Sequence, residues 1–351
     1  MNTEEPVPEA TPTPSSKEKL TPSALGFQRT DSADETPFVS ILLPVRNGAD
    51  FLQEAIDSVL RQSYEHIELI VRDDASTDAT WNVASQYLDP RIKLHRNPTP
   101  LGQFGNFNAC ILDAEGDFIQ FFAHDDVLEV DCLKVALERF ESQPDAGLCY
   151  WAARSIDESG VPTGDDPPDD ATPEILPPEL YLRFAALHGA LPVAVSGVMV
   201  HRSALEFSGP FDPTYTVAGD LELWNRIGLK SKVLHVREPM LRVRRHPGQV
   251  TSGIDTGLKY ILEEARIWDG LRPMFTSREW RHIVRYRSWT RGSVLFRHIL
   301  REVIRGRLSM LFVGLKTLLA HFDLLPMIIG ALSRRYATQK ALLVIQLPWP
   351  S

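Results

Sequence analysis

The sequence predicts an α/β fold with a mostly parallel sheet, helices on both faces, and an α-helical extension behind it. Three observations carry this reading. From Phe38 to Asp157, short apolar runs of strand length alternate with segments of helical spacing. The runs are continuously apolar, as strands buried on both faces are. Several of them end in polar or acidic residues, and in such sheets ligands bind beyond the carboxyl ends of the strands.

FVSILLPV, from Phe38, is the first buried strand, stopped by Pro44 and the polar RNGAD. FLQEAIDSVLRQS then has helical spacing, with Leu52, Ile56, Val59 and Leu60 on one face. HIELIVRDD is a second strand, ending at Asp73 and Asp74; TDATWNVASQYL is expected to be a helix and RIKLHRN a short third strand. NFNACILDAEG is helical, and DFIQFFAHDD is a fourth strand that ends in Asp125 and Asp126. DCLKVALERFESQP is a helix and AGLCYWAARSID a fifth strand. Residues 160–178 are a Pro/Asp-rich loop, and a second half runs through SGVMVHRSALEFSGPFD, VAGDLELWNRIGL and EPMLRVRRHPGQVTSG.

At 351 residues the chain has room for a large core. Its three cysteines show no CxxC spacing, so neither a disulfide framework nor a zinc site is expected, and a reducing cytoplasmic compartment fits. The net charge of −9 is unevenly spread: residues 271–351 hold 14 Lys+Arg against 3 Asp+Glu, a local +11 that leaves −20 on the rest. A basic tail on an acidic body is unlike a nucleic-acid binder and suits an anionic membrane surface. Residues 1–36 are rich in Pro, Thr, Ser and Glu, lack the apolar stretch of a signal peptide, and are expected to form a disordered tail. No uncharged apolar stretch of 18 residues occurs, which disfavours a simple membrane span.

Two acidic stretches bear on chemistry. In VRDDASTDAT, the spacing of Asp74, Ser76 and Asp78 suggests a calcium loop, but Ala79 replaces the turn glycine and Ser85 the closing glutamate. Helix capping accounts for Asp78 and leaves Asp73 and Asp74 unexplained. In FIQFFAHDDVLE a buried run opens onto two adjacent carboxylates, which leave water only with a partner. A solvated acidic turn is the alternative, and His124 beside them is assigned no role.

These stretches, SILLPVRNGADFLQEAIDSVLRQSYEHIELIVRDDASTDAT and NPTPLGQFGNFNACILDAEGDFIQFFAHDDVLE, together with VSGVMVHRSAL, GDLELWNRIG and RVRRHPGQVTS, resemble the family 2 glycosyltransferases. The resemblance spans roughly Phe38 to Ser252. It implies the GT-A fold, Rossmann-like, over residues 37–255, with a nucleotide-binding half at 37–150 and an acceptor or catalytic half at 151–255. Residues 256–351 fall outside it. It further implies that Pro44, Val45 and Arg46 line a nucleotide pocket, that Asp74 accepts a hydrogen bond from the base, and that Gly102 and Asn108 lie along the nucleotide. Asp125 is then expected at the ribose, and Asp126 at a divalent cation, Mg²⁺ or Mn²⁺, which hard carboxylate oxygens suit. Many members carry a further aspartate two residues before Asp125; this chain has Ala123 there.

The same resemblance makes Asp220, at the start of the helix in GDLELWNRIG, the catalytic base; a first-turn acid that merely suits the helix dipole is the other reading. Arg244 and His246 match the Arg-x-His segment, Arg244 beside the donor diphosphate and His246 at the metal, with a surface basic loop as the alternative. Arg242 and Arg245 receive no role.

In VLFRHILREVIRGRL, Leu295, Phe296, Ile299, Leu300, Val303 and Ile304 form an apolar stripe beside Arg297, Arg301 and Arg305. A basic amphipathic helix of this kind lies in a membrane interface, and a helical lid docked on the catalytic body or a dimer contact fits the pattern too. The expected activity is inverting transfer of a sugar from a UDP- or dTDP-sugar to a glycan or lipid-linked acceptor hydroxyl, at the cytoplasmic face of the membrane. A non-catalytic nucleotide-sugar-binding scaffold is the rival reading. A nucleotidyltransferase finds no GxxxxGK[ST] loop in support.

Overall fold

The structure is a computed structural model that describes residues 36–164, 173–188, 194–249 and 254–304, with residues 319 and 322. The expected N-terminal tail up to residue 35, residues 165–172 of the Pro/Asp-rich loop and nearly all of the chain beyond Ile304 lie outside the described residues.

The strands and helices come in chain order as β1 (Val39–Val45), α1 (Ala49–Leu60), β2 (Ile67–Asp73), α2 (Thr80–Ala84), β3 (Ile92–Arg96), α3 (Gln103–Asp113), β4 (Phe118–Phe121), β5 (Val127–Leu128), α4 (Cys132–Ser142) and β6 (Ala146–Ile156). The second half adds β7 (Ile175–Leu176), α5 (Pro178–His188), β8 (Val198–His201), α6 (Arg202–Ser208), α7 (Gly219–Gly228), β9 (Lys232–Arg244), α8 (Ile254–Leu271), α9 (Ser277–Arg287) and α10 (Ser293–Ile304).

One sheet runs β3-β2-β1-β4-β8-β6-β9-β5, with β7 paired to β9. Its first half, β3 to β4, is parallel throughout, as the continuously apolar runs predict. The second half is mixed: β8 runs antiparallel to β4 and β6, β9 runs parallel to β6, and β5 and β7 run antiparallel to β9.

Two expected elements come out shorter. The helix after β2 is regular only over Thr80–Ala84. Its Thr, Trp, Asn and Val are weak helix formers, and the Ser85 hydroxyl bonds back to the Trp81 carbonyl at 2.6 Å. Strand β4 stops at Phe121, because the Ala123 amide turns to the Ser196 hydroxyl at 3.0 Å. Asp125 and Asp126 therefore sit in the turn between β4 and β5.

Apolar clusters cover both faces of the sheet. One joins β1, α1 and α4. The other runs from Leu42 and Ile70 through α3, α5 and α7 to Trp268 of α8 and Ile283 of α9, with Leu271, Phe275 and Trp280 packed against it. The beginning of the basic C-terminal segment is thus docked on the catalytic body. Buried Arg287 and Glu264 pair across α9 and α8 at 3.2 Å, with the guanidinium 4.9 Å from the Trp268 ring centroid. On α10, Ile299 is buried, but Leu300 and Ile304 are exposed, so the expected stripe is only partly covered. Among the described residues no helix is long and apolar enough to cross a membrane.

Candidate active site

At the carboxyl ends of β1 and β2, two loops are joined by hydrogen bonds. The Asn47 amide donates to Ser76 Oγ and the Thr77 amide to Asn47 Oδ1, each at 2.9 Å. The Gly48 amide donates to Thr80 Oγ1, also at 2.9 Å. Asn47 and Ala75 take φ of 50° and 54°, a left-handed conformation unusual for alanine and frequent at functional loops. Pro44 is half-buried, Val45 is buried, and Arg46 is exposed.

Asp74 is almost wholly buried, and three donors of its own chain fill it. Asn97 Nδ2 and the Leu101 amide donate to Oδ1 at 2.8 and 2.7 Å, and the Gly102 amide donates to Oδ2 at 2.9 Å. A carboxylate has about four acceptor positions, so one on Oδ2 is left for a ligand such as a nucleobase. The main visible work of Asp74 is to suspend the start of α3. Gly102 enters that helix at φ 76°, where glycine alone carries no steric penalty.

Asn108 points elsewhere than expected. Its Nδ2 donates to the Phe211 carbonyl and its Oδ1 accepts from the Phe211 amide, both at 2.9 Å. One donor and one acceptor position of the carboxamide are thus engaged as a clip between α3 and the loop leading to α7. The sequence signal matches the residue type, but its partner lies 103 positions away.

The acidic turn meets the end of β9. Asp126 is buried: Ser196 Oγ donates to Oδ2 at 2.5 Å and the Arg244 amide to Oδ1 at 3.1 Å. Burial, and then the charge of Asp125, push its carboxyl up to about 7. Asp125 faces His246 instead, Oδ2 to Nε2 at 3.0 Å, with Gln249 Nε2 at 3.5 Å. The side-chain geometry therefore reverses the expected division: Asp126 anchors the turn, and Asp125 shares a rim with His246. In a turn, neighbouring side chains are oriented by their individual bonds, and the alternation expected of an extended strand does not apply.

Arg244 is fully buried and engaged on every nitrogen. Nε donates to the Asp125 carbonyl at 3.0 Å, Nη1 to the carbonyls of Asp157 and Glu158 at 3.1 and 3.0 Å, and Nη2 to the Glu54 carboxylate. Its guanidinium carbon stands 4.8 Å from the Phe51 ring centroid, and that ring also packs against His246. Arg244 thus tightens the turn rather than presenting a free cation. Ser196, Glu54 and Phe51 were not anticipated; VSGVMV contains the serine, but nothing in its local pattern points to Asp126. His124 packs on Gly48, where an added Cβ would come within 2.1 Å of its Cδ2.

Asp220 opens α7 with its Oδ1 accepting from the Leu221 amide at 2.8 Å. Burial, and a smaller contribution from the charge of Glu263, raise its carboxyl to about 6, a value suited to a base working near neutrality. The first turn of α7 rests on α3: a Cβ on Gly219 would lie 2.6 Å from the Phe104 ring. The helix suspended from Asp74 therefore also supports the start of the helix that carries Asp220.

Asp125 and His246 are suitable ligands for a divalent cation whose remaining positions come from substrate phosphates and water, the usual arrangement for Mg²⁺. Among the described residues no cluster of three or more His, Cys, Asp or Glu side chains forms an all-protein metal cage. The donor set fits a cation completed by substrate.

Residues 40–207 match the sequence profile described as glycosyl transferase family 2. An uncharacterized glycosyltransferase of Rickettsia prowazekii is 27% identical over 247 residues, 70% of this chain and 74% of that protein. A protein of Mycobacterium tuberculosis is 29% identical over 66% of this chain and 74% of its own length. Among solved structures, a Pyrobaculum calidifontis mannosyltransferase bound to GDP-Man and Mn²⁺ superposes with a TM-score of 0.54 at 17% identity, covering 92% of this chain and 90% of that one. S. aureus TarS 1–349 in complex with UDP-GlcNAc gives 0.52 at 14% identity, over 78% and 89%. The fold is that of GT-A glycosyltransferases, and residues 40–207 are similar to glycosyl transferase family 2.

Proposed function

We propose that the protein is an inverting glycosyltransferase that moves a sugar from a UDP- or dTDP-sugar to an acceptor hydroxyl, in the synthesis of a cell-surface polysaccharide or glycolipid. The observation that carries the reading is the meeting of the acidic turn with the end of β9, where Asp125 and His246 stand 3.0 Å apart across 121 residues of sequence. Ser196 and Arg244 hold that pair in place by fixing Asp126 and the turn backbone. A preorganised acidic site of this kind suits a charged ligand.

In this mechanism the joined loops after β1 and β2 receive the nucleotide, with Pro44, Val45 and Arg46 beside it and the remaining position of Asp74 turned to the base. Asp125 and His246 would hold the divalent cation, which when bound neutralises the diphosphate. Asp220 accepts the proton of the acceptor hydroxyl as that oxygen attacks the anomeric carbon from the face opposite the leaving diphosphate. Its raised affinity for a proton makes it a better base than an ordinary surface aspartate. The exposed apolar residues of α10 and the basic residues around them support contact with an anionic membrane surface at the cytoplasmic face.

The test is donor screening by thermal shift with Mn²⁺, using UDP-GlcNAc, UDP-glucose, dTDP-glucose and GDP-mannose, with release of nucleoside diphosphate measured next. A donor that stabilises the protein only with the metal, and is turned over by native enzyme but not by Asp220→Asn, is the expected result. Native turnover in Asp220→Asn would remove the assignment of the base. Metal-dependent binding with no turnover, in native enzyme supplied with acceptor extracts, would favour a binding scaffold.

A further inference from the structure

The segment leading into Asp220 is pinned from outside the region that matches the family. Glu263, on α8, gathers four donors from it. The Thr216 amide lies 2.9 Å from Oε1, and the Thr216 hydroxyl donates to the same oxygen at 2.9 Å. The amides of Val217 and Ala218 donate to Oε2 at 2.9 and 2.8 Å. Ala218 is the N-cap of α7 and has no side chain with which to cap it. The carboxylate thus closes, from another helix, the end of α7 on which Asp220 stands, where a negative charge is favoured by the helix dipole.

The remaining contacts of α8 with this segment do not need Glu263. Tyr260, Ile267 and Leu271 pack against Tyr215, Ala218 and Leu221. The Arg266 guanidinium lies 4.5 Å from the Tyr215 ring centroid. Spaced three and four residues apart, Tyr260, Glu263, Ile267 and Leu271 form one stripe of α8 directed at the loop before Asp220. Apolar and cation–π contacts therefore dock the helix, and the carboxylate adds orientation. Asp220 depends on that orientation, because the bonds that steady its side chain come from amides of the same first turn.

We propose that Glu263 is a positioning residue for the transfer reaction, clamping the backbone of residues 216–218 so that Asp220 is presented to the acceptor in one orientation. This rests on Asp220 being the base. Charge-assisted bonds to several amides hold backbone more firmly than neutral ones, and a misplacement of about 1 Å in a reacting group costs about a hundredfold in rate.

Amide hydrogen exchange on the full chain reads the clamp without any substrate. Glu263→Ala is expected to speed exchange in peptides covering residues 214–222 at least tenfold, with peptides of β1 and α1 unchanged. With the donor found among the four nucleotide sugars above, its kcat is expected to fall at least tenfold while donor KM stays within about twofold. Glu263→Gln, which keeps one of the two acceptor oxygens and loses the charge, is expected to recover only part of that loss. Unchanged exchange in Glu263→Ala overturns the proposal, and so does faster exchange with native kcat, which would leave Glu263 a structural cap alone. If Asp220→Asn retains native turnover, the base assignment fails whatever Glu263→Ala shows; if Asp220→Asn is inactive and Glu263→Ala is native, only the clamp fails.

Discussion

Replacing Asp220 with Asn is expected to make the protein more stable while stopping its chemistry. The carboxyl is raised from an ordinary 3.8 to about 6, chiefly by burial. An acid whose folded pKa exceeds its unfolded pKa disfavours the folded state wherever it must ionise. The destabilisation is absent below the unfolded value, grows between about pH 4 and 6, and is complete above that. A shift of about two units at 1.36 kcal/mol each gives an upper figure of about 3 kcal/mol, and the residue's partial exposure reduces it to about 1–2 kcal/mol. The amide is the same size and its oxygen can still accept from the Leu221 amide, so little else changes. Melting native and Asp220→Asn proteins side by side from pH 4 to 8 should show Tm values that coincide near pH 4 and diverge by a few degrees above pH 6, the variant higher. Turnover at pH 7.5 should fall by about 10²–10⁴-fold, the usual contribution of a general base. Parallel Tm curves at all pH values would refute the burial argument; native turnover would refute the chemical one.

Three further outcomes are expected of the site. Asn108→Ala should lower stability by about 1–3 kcal/mol through loss of both bonds to Phe211, with affinity for UDP and Mn²⁺ unchanged in calorimetry, because the carboxamide faces the fold and not the nucleotide. Arg244→Lys should cost about 3 kcal/mol or more by denaturant unfolding, since an ammonium cannot reach the carbonyls of Asp125, Asp157 and Glu158 together with Glu54. His246→Ala should weaken Mn²⁺-dependent UDP binding at least tenfold with Tm within about 2 °C of native, whereas equal binding with and without Mn²⁺ in the native protein would remove the metal from this site.

How far the sequence could be read depended on the range of the contacts. Continuous apolar runs located β1, β2 and β4, because burial on both faces of a parallel sheet leaves its mark residue by residue. The acidic turn and the Arg244–His246 segment were visible as motifs, and their meeting is a tertiary fact consistent with them. Orientation within the motifs was not visible: which of Asp125 and Asp126 turns inward is decided by Ser196 and the backbone of Arg244, 70 and 118 residues away. Asn108 misled for the same reason. Glu263 and Glu264 are adjacent acids, yet one caps another helix and the other is wholly buried beside Arg287. No local pattern separates such acids from surface ones.

The apolar cluster that begins at Leu42 and ends at Ile283 sets the smallest piece of this chain that can stand alone. Cutting at the end of the region matching the family, or near Gly270, would strip Ile283 and its packed neighbours Phe275 and Trp280 from the face of the sheet and leave sticky surface behind. Such a fragment would cling to vesicles, chaperones and itself whatever the native chain does. To learn what the far C-terminus contributes to location, the cut belongs after Gly292, where the buried pair of Arg287 with Glu264 is kept and only α10 and the residues beyond it are removed.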